Sequence, residues 1–421
     1  MRRRVVVTGM GGVSALGSDW ESICIRLKNG DSAIRYMPQW SDIEGLGCLL
    51  GAPVVDFQQS AVIKRKHKRG MGRSAQFSIA AAVSAVDQAG LLSDPVLESG
   101  ATGAAFGSSS GSVEAVLEFG GVLINRSLGT LSATSYIRMM PHTLVANVGM
   151  YFGLKGRLIP TSSACTSSSQ AIVFATEAIR HGYQDIMIAG GADELEPTHA
   201  AVFDLLYATS TKHDTPDETP RPFDANRDGL VIGEGSAAVV LESLEHALAR
   251  GATILAEVEG VATNSDGRHV TQPTAETMQR VMCMAMADAN LEQGQIDYVS
   301  AHATATLTGD IAESNATESA LGRHVPVSSL KGYFGHTLGA CGALEAWLGI
   351  EMMNHGWFAG NRMLENIDPE CGKLDYIMGS EGVELSCQRF MTNNFAFGGV
   401  NTSIIFSRYD GTGPSGSGDS Q

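Results

Sequence analysis

Three side chains in this sequence have the types and surroundings that covalent chemistry requires. Cys165 lies among small residues in Ser162-Ser-Ala-Cys-Thr-Ser-Ser-Ser-Gln170, directly ahead of an Ala-rich helical stretch. A cysteine at a helix start meets the positive end of the dipole and several free N–H groups. Both favour the thiolate, and its own N–H can help to hold a developing oxyanion. A buried structural cysteine fits the same surroundings. His302 follows a strand-like run in Val299-Ser-Ala-His-Ala-Thr-Ala-Thr306, and His336 lies in Lys331-Gly-Tyr-Phe-Gly-His-Thr-Leu-Gly-Ala-Cys-Gly-Ala-Leu-Glu345. Small neighbours leave room for a substrate. A lone histidine is more often a satisfied core or surface group, but two at strand ends together with a candidate thiolate shift the balance toward a reactive site. Zinc-ligand spacing is absent. Cys341, set among Gly and Ala, reads as helix packing.

Two glycine-rich segments are weaker signals. Gly9-Met-Gly-Gly-Val-Ser-Ala-Leu-Gly17 begins like a dinucleotide fingerprint but has Ser14 where the third glycine belongs. Phe395-Ala-Phe-Gly-Gly-Val-Asn401 places Phe397 on a turn from which it could line or gate a cavity; an ordinary tight hairpin is the alternative.

Residues so far apart need a scaffold to bring them together. Apolar runs at 4–8, 103–107, 185–189, 231–241, 254–261 and 296–301 read as strands. Stretches 74–89, 170–181, 275–289 and 344–353 read as helices. The alternation indicates α/β layers. A repeat is visible within it. Ile159-Pro-Thr-Ser-Ser-Ala-Cys165 matches Val325-Pro-Val-Ser-Ser-Leu-Lys331, and 233–241 (GEGSAAVVL) matches 398–406 (GGVNTSIIF), at nearly one offset. The sequence therefore reads as two copies of one unit, 1–250 and 251–409, whose duplicated turns meet at a single site at strand C-termini. Residues 410–421 have no apolar side chain beyond glycine and proline and read as a flexible tail.

Composition limits the function. The chain has 421 residues, 43% of them hydrophobic and 18% charged, enough for a large core with much surface covered by a partner subunit. With 45 acidic and 29 basic residues, the net charge of −16 argues against a nucleic-acid binder. No apolar run reaches the roughly 18 residues of a membrane span. The basic start is followed by too short an apolar run for a signal peptide, so a cytoplasmic protein is expected. Seven scattered cysteines without a CxxC pair suggest neither a disulfide framework nor a zinc site.

Taken together, the sequence resembles the β-ketoacyl-ACP synthases, the elongating condensing enzymes of fatty acid and type II polyketide assembly. The likeness extends from about Arg3 to Phe406. It is carried by RRVVVTGMG at the start, SSACTSSSQA around Cys165, PFDANRDGLVIGEG at 222–235, SAHATATLTGD at 300–310, KGYFGHTLGACGALE at 331–345 and NNFAFGGVN at 393–401. The resemblance implies a thiolase-like α/β fold, duplicated in five α-β-α-β-α layers. It implies that Cys165 takes an acyl chain from the phosphopantetheine of an acyl carrier protein, with N–H groups of Cys165 and Phe397 as the oxyanion hole. His302 and His336 would then assist decarboxylation of a malonyl thioester, whose carbanion lengthens the chain by two carbons. Lys331 would orient the site with Glu313 or Glu345 as partner. Thr271, Thr304 and Thr306 would line the pantetheine channel. Lys66, Arg69 and Lys212 would dock the carrier. A basic cluster, 64–69 with Arg73, fits that role on an acidic chain, although a charge run is commonly a solvated face. Neither metal nor redox cofactor is implied, because loss of CO2 drives condensation. A homodimer, or a heterodimer with a chain-length-factor-like ketosynthase, is expected.

The sequence departs from the family pattern at Ser300, Ala303 and Ala396 and across Asp266-Gly-Arg-His-Val-Thr-Gln-Pro273. These positions surround the expected acyl pocket and suggest a specialised substrate; the opening segment resembles the aryl polyene branch. Four other readings compete. A degradative thiolase would need a second reactive cysteine, and Cys387 has the wrong context. An initiating synthase would carry Asn in place of His336. A non-catalytic scaffold or chain-length partner subunit would not need the complete Cys–His–His set. A nucleotide-dependent oxidoreductase rests only on the incomplete glycine run.

Overall fold

The structure, a computed structural model, describes residues 2–55, 57, 63, 68–322 and 325–411. Its central sheet is built from β1 (Val5–Ser14), β2 (Thr102–Gly107), β3 (Leu158–Thr161), β4 (Ile186–Asp193), β5 (Gly235–Ser243), β6 (Ala256–Ser265), β7 (Tyr298–Ser300), β8 (Pro326–Ser328), β9 (Asp375–Tyr376), β10 (Arg389–Phe395) and β11 (Val400–Ser407). The strands run in the order β9-β8-β7-β10-β11-β6-β1-β5-β4-β2-β3.

That order contains one pattern twice. Reading outward from the middle, β1-β5-β4-β2-β3 and β6-β11-β10-β7-β8 each make two antiparallel steps followed by two parallel ones. The second set adds β9, parallel to β8, at its edge. The sets join through Val6 and Val7 of β1, opposite Glu257 and Ala256 of β6. The sequence repeat falls on equivalent strands: Pro160 and Pro326 lie on β3 and β8, and the second matched pair overlaps β5 and β11.

Among its helices are α1 (Arg73–Gln88), α2 (Val113–Asn125), α3 (Ser167–Arg180), α4 (Ala275–Asp288), α5 (Leu307–Leu321) and α6 (Cys341–His355). α1 packs on the outer face of the first set, and α4, with α5 along it, on the outer face of the second. α3 and α6 lie against each other between the two sets and touch both. Nearly every side chain of these two helices is buried, which explains why their small residues follow no amphipathic stripe.

Close approach also explains the glycines near the N-terminus. The Gly9-Met-Gly-Gly run is an interior part of β1 rather than a phosphate loop. A methyl on Gly9 would lie 2.1 Å from Ala85 O of α1, and one on Gly12 would lie 2.3 Å from the Trp347 ring of α6. The glycines let helices approach both faces of one strand, so the dinucleotide reading fails. Several elements are also longer than expected from sequence. β1 runs on to Ser14, β4 continues through its Gly-Gly pair to Asp193, and α3 and α6 begin at Ser167 and Cys341. Burial on both faces hides the polarity changes that mark element ends.

A close contact also joins the two central helices. A Cβ on Gly342 would lie 2.6 Å from Asn394 Oδ1 and 2.7 Å from Ser169 Cβ. Gly342→Ala is therefore expected to cost about 1–3 kcal/mol through overpacking. Urea denaturation should show a lower midpoint at unchanged slope; an unchanged midpoint would contradict this packing.

Candidate active site

Each chemical side chain is held by backbone made rigid from nearby. After β3 the chain turns through Ala164 at φ 50°, a conformation that costs a non-glycine residue about 1–2 kcal/mol. The serines and threonines around it hold the turn. Ser163 N donates to Ser167 Oγ (2.9 Å), Ser167 Oγ to Ala164 O (2.7 Å) and Thr166 Oγ1 to Ser163 O (2.8 Å). Cys165 is thereby fixed one residue before the N-cap of α3. His302 lies two residues past β7. Its N–H and that of Ala303 donate to the Glu313 carboxylate on α5, at 2.7 and 2.6 Å. His336 is pinned by its backbone, which donates to Val231 O (2.7 Å) and accepts from Gly233 N (2.9 Å).

These three buried side chains converge. His336 Nε2 is 3.0 Å from Cys165 Sγ. The His302 and His336 rings stand edge to face with centroids 5.1 Å apart. One donor atom from each of the three lies within 4.8 Å of the others. The sulfur–nitrogen contact has hydrogen-bond length; a tetrahedral zinc would hold these ligands about 3.6 Å apart. Backbone N–H groups of Phe397 and of Cys165 itself are directed at the sulfur. The three line a cavity of about 220 Å³ together with Thr271, Thr304, Thr306, Glu313 and Phe397. Phe397 sits in the β10–β11 hairpin and packs on Phe203, their ring centroids 4.9 Å apart.

Burial dominates the electrostatics. It pushes the Cys165 thiol up to about 12, with Lys331 and the Phe397 N–H pulling weakly the other way. This corrects the expectation that the helix start alone yields a thiolate: the sulfur is too deeply desolvated, and the resting group is a thiol with a base beside it. Burial and then the Lys331 charge hold both imidazoles well below the usual histidine value, so both are neutral at pH 7. Burial opposes the Lys331 charge as well, but Glu345, its direct ion-pair partner, keeps the amine above its ordinary value. Glu313 does not pair with Lys331; burial pushes it up to about 8 against its two backbone donors.

The chain matches the family model of the β-ketoacyl synthase N-terminal domain over residues 2–247 and that of the C-terminal domain over 255–365. The chain belongs to the β-ketoacyl synthase family. It is 36% identical over 412 residues to 3-oxoacyl-(acyl-carrier-protein) synthase 1 of Haemophilus influenzae, covering 97% of this chain and 100% of that one. The crystal structure of a β-ketoacyl synthase from Burkholderia phymatum STM815 superposes with a TM-score of 0.95 at 54% identity, over 97% of this chain and 100% of that one. The ishigamide ketosynthase/chain length factor does so with a TM-score of 0.89 at 32% identity, again over 97% and 100%. The fold is the thiolase-like, five-layered one, with α3 and α6 as its middle layer.

Not every expected β-ketoacyl synthase feature falls together. Arg69 is exposed and Lys212 half-buried, while Lys66 lies outside the described residues, as do 412–421 of the expected tail. Arg73 leaves the basic cluster. It is bound to buried Glu234 at 2.7 Å and lies over the Phe77 ring, so its charge is spent internally. Cys341 does more than pack, since its thiol donates to Cys165 O at 3.2 Å. Asn394, unnoticed in the sequence, bridges to Glu345 Oε2 at 2.7 Å. Its only sequence signal is a polar pair, Asn393-Asn394, inside a strand buried almost throughout.

A thiol held at about 12 makes a direct prediction. Below that value each pH unit raises the thiolate fraction tenfold, so alkylation of Cys165 by iodoacetamide should climb steadily between pH 7 and 10. Peptide mapping of the adduct follows this site alone. A plateau near the ordinary cysteine value of about 8.5 would show an exposed, unperturbed thiol.

Proposed function

We propose that the protein is a 3-oxoacyl-(acyl-carrier-protein) synthase performing decarboxylative Claisen condensation on carrier-bound substrates. The reading is carried by the 3.0 Å contact between Cys165 Sγ and His336 Nε2, with the His302 ring alongside and two N–H groups at the sulfur. Cys165 attacks the thioester carbonyl of an acyl-phosphopantetheine as its proton passes to His336. The N–H groups of Cys165 and Phe397 hold the tetrahedral oxyanion, and the carrier thiol departs protonated. A malonyl thioester then binds with its carbonyl at His302 and His336. Neutral His302 can donate to the developing enolate as the C–C bond to CO2 breaks; His336, whose Nε2 must be bare to take the thiol's proton, assists once that nitrogen is protonated. The resulting carbanion attacks the acyl-Cys165 carbonyl, the C–S bond breaks, and Cys165 leaves as a thiolate that takes a proton from water, freeing a chain two carbons longer. Thr271, Thr304 and Thr306 line the approach for the pantetheine arm. The Lys331–Glu345 pair sets the site's charge, and Glu313 fixes the His302 backbone. No metal or redox cofactor takes part in this scheme.

The proposal extends to partners and pathway. An acidic carrier protein docks near Lys66, Arg69 and Lys212. The altered segments at 266–273 and 395–399 border the cavity and support a specialised fatty acid or polyketide substrate, with an aryl polyene as the finer assignment. The site of action is the cytoplasm; among the described residues no helix is long and apolar enough to cross a membrane. The chain works as a dimer, with itself or with a chain-length-factor-like ketosynthase. Support comes from the apolar face of α2, where Leu117, Leu123 and Ile124 are exposed, beside exposed Leu128 and Tyr136.

Exposure to acyl carrier protein should add one acyl mass to the chain, mapping to Cys165; an adduct elsewhere overturns the assignment. His302→Ala and His336→Ala should each lower CO2 release from a malonyl carrier by about 100-fold or more. Cys165 acylation should persist in His302→Ala and stay measurable, though slower, in His336→Ala, which also loses the group that takes the thiol's proton. Undiminished CO2 release would remove the histidines from that role. Light scattering should show a dimer that Leu123→Arg with Ile124→Arg converts to monomer; an unaltered dimer would place the interface elsewhere.

A further inference from the structure

One buried amide connects the charge pair to the site. Asn394, on β10, is fully buried. Its Nδ2 lies 2.7 Å from Glu345 Oε2, 3.5 Å from His302 Nδ1 and 3.5 Å from Cys341 Sγ. The other oxygen of Glu345 is bound to Lys331 Nζ. A carboxylate held by a lysine ammonium only accepts hydrogen bonds, so the Asn394 amide must present its NH2 side to Glu345. Turning the amide over would set oxygen against oxygen in a dry interior. The orientation is therefore fixed, and the second N–H hydrogen of the same group faces His302 Nδ1 and Cys341 Sγ.

This has a consequence for the imidazole. A neutral histidine has one bare and one protonated nitrogen, and the hydrogen bond made by one decides the state of the other. An N–H donor facing Nδ1 is compatible only with a bare Nδ1.

We propose that Asn394 is a positioning residue that holds His302 in the tautomer with its proton on Nε2. The order of dependence runs from Lys331 to Glu345, from Glu345 to the Asn394 amide, and from the amide to the ring. The pair thus fixes which edge of His302 can donate. Cys341 shares the second amide hydrogen and gives its own hydrogen to Cys165 O, so the thiol does not compete for Nδ1 as a donor. The proposal deepens the condensing-enzyme reading and rests on it, because a proton on Nε2 lets His302 donate to a substrate carbonyl.

The tautomer can be read without turnover. The full chain is labelled with 15N-histidine, and long-range 1H–15N correlations are assigned to His302 by their loss in His302→Gln. Nδ1 should give the bare-nitrogen shift and Nε2 the protonated one. In Asn394→Asp the new carboxylate accepts from Nδ1, and the pattern should invert. In Asn394→Leu, which has no polar atom, the single-tautomer pattern should give way to a mixture, and CO2 release should fall about 10- to 100-fold, the usual effect of losing a partner that orients a functional imidazole, while Cys165 acylation is unchanged. A protonated Nδ1 in the unaltered protein overturns the proposal, whether or not either variant folds. A pattern unmoved in both variants also overturns it. If the unaltered protein releases no CO2, the condensing-enzyme reading fails, and the spectrum still decides the tautomer.

Discussion

The structure depends on the contact between two helices at its centre. α3 and α6 come from equivalent places in the two strand sets and meet where Gly342 leaves no room for a side chain beside Ser169. Ala343 N donates to Ser168 Oγ at 2.9 Å, and Cys341 Sγ to Cys165 O at 3.2 Å, so the two helix starts are stitched together. The pairing of Cys165 with His336 follows from this register. Cys165 enters just ahead of one helix, and the loop that leads into the other carries His336 within hydrogen-bond reach of the sulfur. Close packing of this kind transmits small displacements rather than absorbing them.

Charge is placed with equal economy. Within this dry interior Lys331 is answered by Glu345, and burial, helped by the Lys331 charge, keeps the two imidazoles neutral. Neutral rings next to a thiol can take and give protons, whereas permanently charged ones could only donate. A buried ion pair is a weak source of stability because desolvation offsets its attraction. Its value here lies in the states it imposes on its neighbours.

Much of this was legible from the sequence, for physical reasons that can be named. Cys165, His302 and His336 stand out because each is a reactive side chain among small residues, which globular cores otherwise fill with bulk. The duplication was visible because Pro and Ser-Ser turns recur at one offset, and the same strand order appears in both sets. Other features were not legible. The state of the thiol depends on how deeply the sulfur is buried, which local sequence does not reveal. The strand run at Gly9–Gly12 has the composition of a loop; only the helices pressed against it explain its glycines. Arg73 reads as part of a surface run until Glu234, far along the chain, is seen beneath it. Asn394 acts through residues more than 40 positions away on other elements, and no local pattern encodes that.

The division of the site between the two strand sets affects how the protein is born. A ribosome releases the sulfur of Cys165 long before it has made the ring that takes its proton or the hairpin N–H that steadies its product. Until the last two strands are set between β6 and β7, the nascent chain carries a nucleophile without its partners. What completion adds is the imidazole and the N–H partners at the sulfur, not its ionisation, which burial opposes.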